Sequence, residues 1–433
     1  MESLKGKRLL VLGGSTWKEA ILSVAREHGI NLVAAAPYHV GIFDIADESH
    51  LLDVTDPEVM VPFIKGHQID GIYMGGSEPV INSACKYINE LGLPCYCSQE
   101  QWQLVQNKHQ FKALCQKYGL PVVPKYEIDK NNLEGCMPAN AFPVVLKPAD
   151  GCGSSGFSVC KTCEELKVGY EEAAQNSPTG TVICEKFVEN KAVGVFYSIS
   201  GNEISFAGSE DKTPVRYPKQ GSYVAGFFSF PSVFEHDFRT RYEDKIKSMF
   251  RSIGLYEGSI WIEVFHDGDE YYFNEVGYRY GGSISVYPVD YLSGINQIYR
   301  DLYYAISGNH WEGKTPSLVS ESFPRGEMYC VYPIHIHAGV VSKYEGLDEL
   351  RNEPNMVIFS PTKAIGTEVK DTGSFAQIVA LAHFIYKTKE ECVSMVNHIH
   401  DAFKVIDANG NNLVNRMLTE DDLSAINMCV EQH

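Results

Sequence analysis

Glu263 and Glu275 stand twelve positions apart inside two runs rich in aromatic and branched residues, Trp261-Ile262-Glu263-Val264-Phe265 and Tyr271-Tyr272-Phe273-Asn274-Glu275-Val276, with Asp267-Gly268 between them. The runs read as the strands of a hairpin. A carboxylate in an apolar strand is costly unless it is paired, so each calls for a metal ion or a salt bridge. Register decides whether the two can act together. A two-residue turn at Asp267-Gly268 pairs Glu263 with Tyr272 and leaves Glu275 on the opposite face. A three-residue loop from Asp267 to Asp269 pairs Glu263 with Phe273 and puts Glu275 on the same face, diagonal to it at about 7–8 Å. The chemistry therefore predicts the odd-length loop. Two carboxylates across that gap could hold one or two divalent cations, with Gly277 and Arg279 following on the same face by the two-residue period. The plain alternative is a pair of solvated strand carboxylates.

A second candidate lies upstream. Val144-Val145-Leu146-Lys147 is an apolar strand ending in a lysine, and Gly151-Cys152-Gly153-Ser154-Ser155-Gly156 follows before a further strand. Glycines let backbone N–H groups approach phosphate oxygens, and a strand-held lysine adds a fixed charge. Because the lysine precedes the glycines and no Lys-Ser/Thr follows them, this is not a Walker A loop. A hairpin turn with a surface lysine is the alternative. Lys108 begins a helical stretch closed by Tyr118-Gly119-Leu120-Pro121. Thr162-Cys163-Glu164-Glu165 reads as a capping box. Thr181 to Val188 reads as a strand running into a connector whose backbone could meet a purine edge. Asp211-Lys212 and Arg216 to Lys219 fall in a polar stretch expected to be a loop, and Tyr242 to Ile253 is expected to be helical.

These residues need elements to hold them. Arg8 to Leu12, a helical pattern through Ala20, Ile21, Val24 and Ala25, and Asn31 to Ala35 make a βαβ unit, and alternation continues through Gly71 to Met74 into a helix beyond Pro79. No G-x-G-x-x-G follows any of these strands, so dinucleotide binding is not expected here. The turn Gly75-Gly76-Ser77-Glu78 and its helix N-terminus could instead hold a substrate's carboxylate or amine, or be a plain sheet turn.

A chain of 433 residues with 44% apolar and 21% charged residues is expected to be globular with about three domains. A formal charge of −18 argues against nucleic acid or an anionic membrane as partner. No run of 18 apolar residues occurs and the first residues lack a signal peptide's apolar core, so a cytoplasmic location is expected. The twelve cysteines follow no framework pattern and read as reduced thiols.

Taken together, Lys108, Lys147 with Gly153-Ser154-Ser155-Gly156, the Glu185–Val188 connector, and Glu263 with Glu275 resemble the ATP-grasp superfamily, in its carboxylate–amine ligase branch near biotin carboxylase, the carbamoyl-phosphate synthetase large chain and the bacterial L-amino-acid ligases. The resemblance spans about residues 1 to 430. It implies a mixed α/β and α+β architecture: a Rossmann-like domain at 1–106, an ATP-grasp domain at 107–322 with a lid subdomain at about 123–190, and an α+β domain at 323–433. It implies that Lys108 and Lys147 contact ATP phosphates beneath a Gly153–Gly156 lid, that Glu185, Lys186 and Val188 receive adenine partly through backbone groups, and that Glu263 and Glu275 hold Mg²⁺ (or Mn²⁺). Arg279 is then the arginine near the transferred phosphate and the substrate carboxylate, acting in catalysis with Lys147. Two departures stand out. The family often has Asn where this chain has Gly277, and alternation sends Asn274 to the other face. The acidic ribose contact is missing near Ala192, which leaves Glu189.

The implied reaction is ATP-dependent ligation of small-molecule carboxylate and amine substrates through an acyl phosphate, releasing ADP and phosphate, in an enzyme that is often a homodimer. A bicarbonate-using carboxylase and a non-catalytic nucleotide-binding protein are the alternatives. Past Pro324, the strand with His335 and His337 and the pair His398 and His400 also admit a transition-metal site, against ordinary strand and helix histidines.

Overall fold

The apolar runs Arg8–Leu12, Asn31–Ala36 and Gly71–Tyr73 pair in parallel, as a βαβ sequence requires, and Glu48–Leu51 extends the sheet. The helix Lys18–His28 covers this sheet with Ala20, Ile21, Val24 and Ala25 buried. Gly75 ends the Gly71–Tyr73 strand at φ 72°, where a Cβ would lie 2.7 Å from the Leu12 carbonyl oxygen, so only glycine fits this turn. The helix Glu78–Glu90 starts directly after it. This computed structural model describes residues 3–14, 17–133, 135, 137–138, 141–149, 156–188, 191–217, 223–424 and 426. Gly153, Ser154, Ser155, Glu189 and Lys219 lie outside the described residues.

A small antiparallel sheet follows in the order Lys125–Tyr126, Val182–Lys186, Val144–Pro148, Ser158–Cys160. It packs against the helix Cys163–Gln175, whose N-cap Thr162 accepts from the Glu165 N–H as the capping motif predicts. A long sheet then runs Glu270–Gly277, Glu257–Asp267, Lys191–Ser200, Glu203–Arg216, Tyr223–Phe230, Met328–Ile336, Ile378–Tyr386, Met356–Pro361. Phe228 pairs with Val331, so the elements beyond Pro324 continue this sheet.

Two expectations are corrected here. Asp211, Lys212 and Arg216 are not in a loop: they belong to the fourteen-residue strand Glu203–Arg216, which is paired on both edges. The helix expected from Tyr242 begins at Glu235. Its first two turns are polar outside but bury Phe238, and Glu235, Asp237 and Glu243 pair with Arg239, Arg241 and Lys247 at i,i+4 spacing. The sequence leaves two readings open for the histidines, and among the described residues no cluster of metal-ligand type occurs. His335 Nδ1 lies 2.7 Å from the Tyr217 hydroxyl, His400 bonds the Tyr332 hydroxyl and His398 bonds Glu353, while His337 is exposed. Burial pushes His335 down to about 4, which keeps it neutral beside its tyrosine.

Candidate active site

The hairpin that carries the two glutamates closes with a two-residue turn, Gly268-Asp269, because Asp267 pairs with Glu270. The predicted odd-length loop is therefore wrong. The extra residue sits in the strand instead. Val264 pairs with Phe273, the register then shifts, and Glu263 pairs with Glu275, leaving Asn274 as a β-bulge. A one-residue shift exchanges the faces of a strand, so the bulge does the work assigned to the loop. It also does more: the carboxylates stand directly opposite each other, a relation with Cβ atoms about 4.5–5.5 Å apart, instead of diagonally. Strict alternation fails at the bulge, and Asn274 Nδ2 donates to Glu263 Oε1 at 2.9 Å.

The pairing extends sideways into a row. Glu263 also pairs with Gly194 on the neighbouring strand, and Gly194 with Glu210 on the next. A Cβ at Gly194 would stand 2.4 Å from Glu210 Oε1, so the missing side chain is what gives Glu210 its room. Lys212 shares the face of Glu210 and fills the gap between carboxylates, 2.7 Å from Glu263 Oε2 and 3.9 Å from Glu210 Oε1. Its ammonium also lies 4.5 Å from the centre of the Trp261 ring. Burial alone would raise the Glu263 carboxyl. The charge and hydrogen bond of Lys212, the Asn274 amide and the charge of Lys108 outweigh it and hold Glu263 below its ordinary value. Glu210 is deeper, and burial pushes it up to about 7 against the pull of Lys212 and Ser283. Glu210 and Lys212 escaped the sequence reading because a Pro/Gly-bounded stretch looked like loop; their i,i+2 spacing was the available signal.

Lys108 reaches the row from a helix. Asn107 caps Lys108–Lys117 by accepting from the His109 and Gln110 N–H groups, and Lys108 Nζ lies 3.5 Å from Glu275 Oε2. One turn on, Lys112 ion-pairs with Glu185, whose other oxygen takes Lys147 Nζ at 2.6 Å. Glu185 is buried, which would raise it, yet the two lysines keep it below its ordinary value. Its side chain is thus committed to Lys112 and Lys147, so Glu185 could face a purine only through its backbone. Lys112 was not foreseen, although its spacing from Lys108 places both on one helix face. Lys186 pairs with Asp267 at 2.9 Å, Val188 is buried, and Gly156 takes φ 71° at the end of the glycine segment.

Arg279 closes the other side. It donates from Nη2 to Glu78 Oε1 at 2.8 Å and from Nη1 to the Tyr280 carbonyl at 2.9 Å. Glu78 lies in the first turn of Glu78–Glu90, so the Gly75–Glu78 turn reaches this site through a carboxylate. Gly277 pairs with Trp261, and a Cβ there would be 3.4 Å from both Trp261 Cε3 and Arg279 Cγ. These are ordinary contact distances, so the indole and the arginine stem flank position 277 without closing it.

The arrangement can accept a polyanion and a cation together. Glu263 and Glu275 offer hard oxygen donors on one face and would suit a divalent cation of the Mg²⁺ type. Lys108, Lys112 and Lys147 supply local positive charge in a chain whose formal charge is −18.

Residues 107–279 match the family model described as carbamoyl-phosphate synthase L chain, ATP binding domain. Among curated proteins, the chain is 25% identical over 195 residues to a formate-dependent phosphoribosylglycinamide formyltransferase of Prochlorococcus marinus, a match covering 43% of this chain and 50% of that relative. The match thus spans about half the relative's length. Among solved structures, an L-amino acid ligase from Bacillus licheniformis superposes with a TM-score of 0.71 at 18% identity, covering 94% of this chain and 100% of the other. The biotin carboxylase domain of the Hydrogenobacter thermophilus 2-oxoglutarate carboxylase, a dimer in complex with MgADP and bicarbonate, superposes at 0.74 with 17% identity, covering 94% and 91%. At these identities the structural likeness establishes the fold. Among the described residues no helix is long and apolar enough to cross a membrane. Residues 107–279 thus match an ATP-binding domain, and the chain shares the fold of ATP-grasp ligases.

Proposed function

We propose that this chain is an ATP-dependent, ADP-forming ligase that joins a small carboxylate to the amine of an amino-acid-type substrate. One observation carries the reading: beside the opposed pair Glu263 and Glu275, Arg279 and Glu78 stand as adjacent cation and anion at 2.8 Å. That pair is complementary to a molecule bearing both a carboxylate and an ammonium group.

In this reading Lys108 and Lys147 bind the phosphates, the Gly153–Gly156 segment covers them, and the backbone of Glu185, Lys186 and Val188 receives adenine. Glu263 and Glu275 hold Mg²⁺ or Mn²⁺, which when bound supplies charge neutralisation for phosphoryl transfer. Arg279 orients the acceptor carboxylate in line with the γ-phosphorus. A carboxylate oxygen bonds to that phosphorus as the bond to the ADP oxygen breaks. The amine nitrogen then bonds to the acyl carbon, the carbon–oxygen bond to phosphate breaks, and the amine's proton passes to solvent. Glu78 holds the incoming ammonium group until it is deprotonated. The domain division at about 106 and 322 is part of the same proposal.

The carboxylase alternative fits less well, because bicarbonate gives Glu78 nothing to bind and meets its negative charge. A binding-only role leaves Arg279 and Glu78 without a purpose. The test supplies ATP, Mg²⁺ and separate pools of amino acids, formate or bicarbonate, and follows phosphate release. Amine-dependent release is expected, with Glu275→Gln lowering it by at least about a hundredfold in a folded protein. Release driven by bicarbonate alone would overturn the proposal in favour of a carboxylase, and none from any pool in favour of a binding protein.

A further inference from the structure

The family's usual Asn has no side-chain counterpart at Gly277, which Trp261 and the Arg279 stem flank at contact distance. The bulge brings another amide into the site. Asn274 is the extra residue opposite the Glu263/Val264 step, and the broken alternation turns its side chain toward Glu263. Its amide nitrogen is committed to Glu263 Oε1 at 2.9 Å. An amide that donates through nitrogen presents its oxygen as an acceptor on the other fork. Among the described residues that oxygen accepts no hydrogen bond, while Glu263 Oε2 is held by Lys212 at 2.7 Å. Each Glu263 oxygen has one donor and keeps lone pairs for a cation.

We infer that Asn274 takes over the duty left open at Gly277: it fixes Glu263 through its amide N–H and offers its amide oxygen to the divalent cation held by Glu263 and Glu275. The inference rests on the metal reading above. It explains why a neutral amide, and not an apolar residue, occupies the bulge between Phe273 and Glu275. A carbonyl-type oxygen is a suitable donor for a hard cation and adds no further charge to a row that already holds three glutamates. Oxygen donors beyond the two carboxylates matter because Mg²⁺ asks for six at short range.

The test measures Mn²⁺ dissociation by electron paramagnetic resonance in the presence of a non-hydrolysable ATP analogue, with thermal melting in EDTA as the control for folding. Asn274→Ala is expected to weaken Mn²⁺ about tenfold or more, the range in which loss of an ion-supporting residue falls, while melting in EDTA moves little. Asn274→Asp separates the two roles. It loses the N–H donated to Glu263 but keeps an oxygen for the ion, so Mn²⁺ binding at least as tight as the parent's supports ligation. Binding by Asn274→Asp as weak as that of Asn274→Ala would reduce Asn274 to a prop for Glu263 and overturn the ligand assignment. Unchanged Mn²⁺ affinity in Asn274→Ala overturns the whole inference. A parent chain that binds no Mn²⁺ with the analogue instead overturns the underlying metal reading, an outcome visible before any variant is made.

Discussion

Lys212 is the internal countercharge of the carboxylate row, and removing it should show what the row costs without a cation. Its ammonium lies 2.7 Å from Glu263 Oε2 and 3.9 Å from Glu210 Oε1, with its side chain only 13% exposed. At an effective dielectric constant of about 20, those contacts represent gross attractions of about 6 and about 4 kcal/mol. Most of this offsets desolvation and is not net stability. What Lys212→Met leaves behind decides the loss. Glu210, already pushed up to about 7 by burial, can take a proton and escape the penalty. Glu263 becomes a largely buried carboxylate left with the Asn274 amide and the more distant charge of Lys108, a state that costs about 3–5 kcal/mol. With an unfolding entropy of about 2.1 cal/mol/K per residue, or about 0.9 kcal/mol/K for 433 residues, melting in EDTA should fall by about 3–5 °C. A divalent cation restores the countercharge, so millimolar MgCl₂ should raise the variant's melting temperature more than the parent's. The assay is a paired melt of both proteins with EDTA and with MgCl₂. A variant that melts within about 1 °C of the parent in EDTA, or one that gains no more than the parent from Mg²⁺, refutes the assignment of Lys212 as the charge that the cation's site leans on.

Further expectations follow from other contacts. Arg279→Lys cannot bond Glu78 and the Tyr280 carbonyl at once, so kcat/KM should fall about a hundredfold or more with the ATP affinity nearly unchanged; steady-state kinetics with each substrate varied checks this. Gly346 has φ 80°, and a Cβ there would lie 2.2 Å from the Ala402 carbonyl oxygen, so Gly346→Ala should destabilise the C-terminal elements by about 3 kcal/mol, read by chemical denaturation. Asp301 is held up to about 7 from an ordinary 3.8, mainly by burial and despite its hydrogen bond from Tyr280. Between those values the unfolded chain has ionised and the folded one has not, so this group's contribution is fully present below 3.8 and is lost as pH rises toward 7. Asp301→Asn removes that slope. The variant's melting temperature relative to the parent should therefore climb from pH 5 to pH 7 and level off above, and parallel curves would count against the buried-acid account.

Much of the fold was legible because its signals are local. The parallel strands at Arg8–Leu12 and Asn31–Ala36, the helix begun by Lys108 and the cap at Thr162 follow from periodicity and capping chemistry within a few residues. The polar stretch after Gly208 was misread for the same reason: its Pro and Gly residues signal a turn locally, while pairing on both edges keeps it a strand. Tertiary context overrode propensity there.

The site divides along the same line. Residue types alone determined that Glu263 and Glu275 needed a partner, that Lys147 closes a strand before a glycine segment, and that the two glutamates had to share a face to be useful. Their twelve-residue spacing did not say how, because a loop residue and a bulge residue produce the same face by different routes, and only the pairing of the whole hairpin distinguishes them. That choice also decided which way Asn274 points. The rest was set by which strands became neighbours: Lys212 meets Glu263 across 51 positions, and Glu78 meets Arg279 across 201. Such pairs leave no mark in local patterning, since an ion pair depends on distance in space, and chain separation carries no information about that until the sheet is formed.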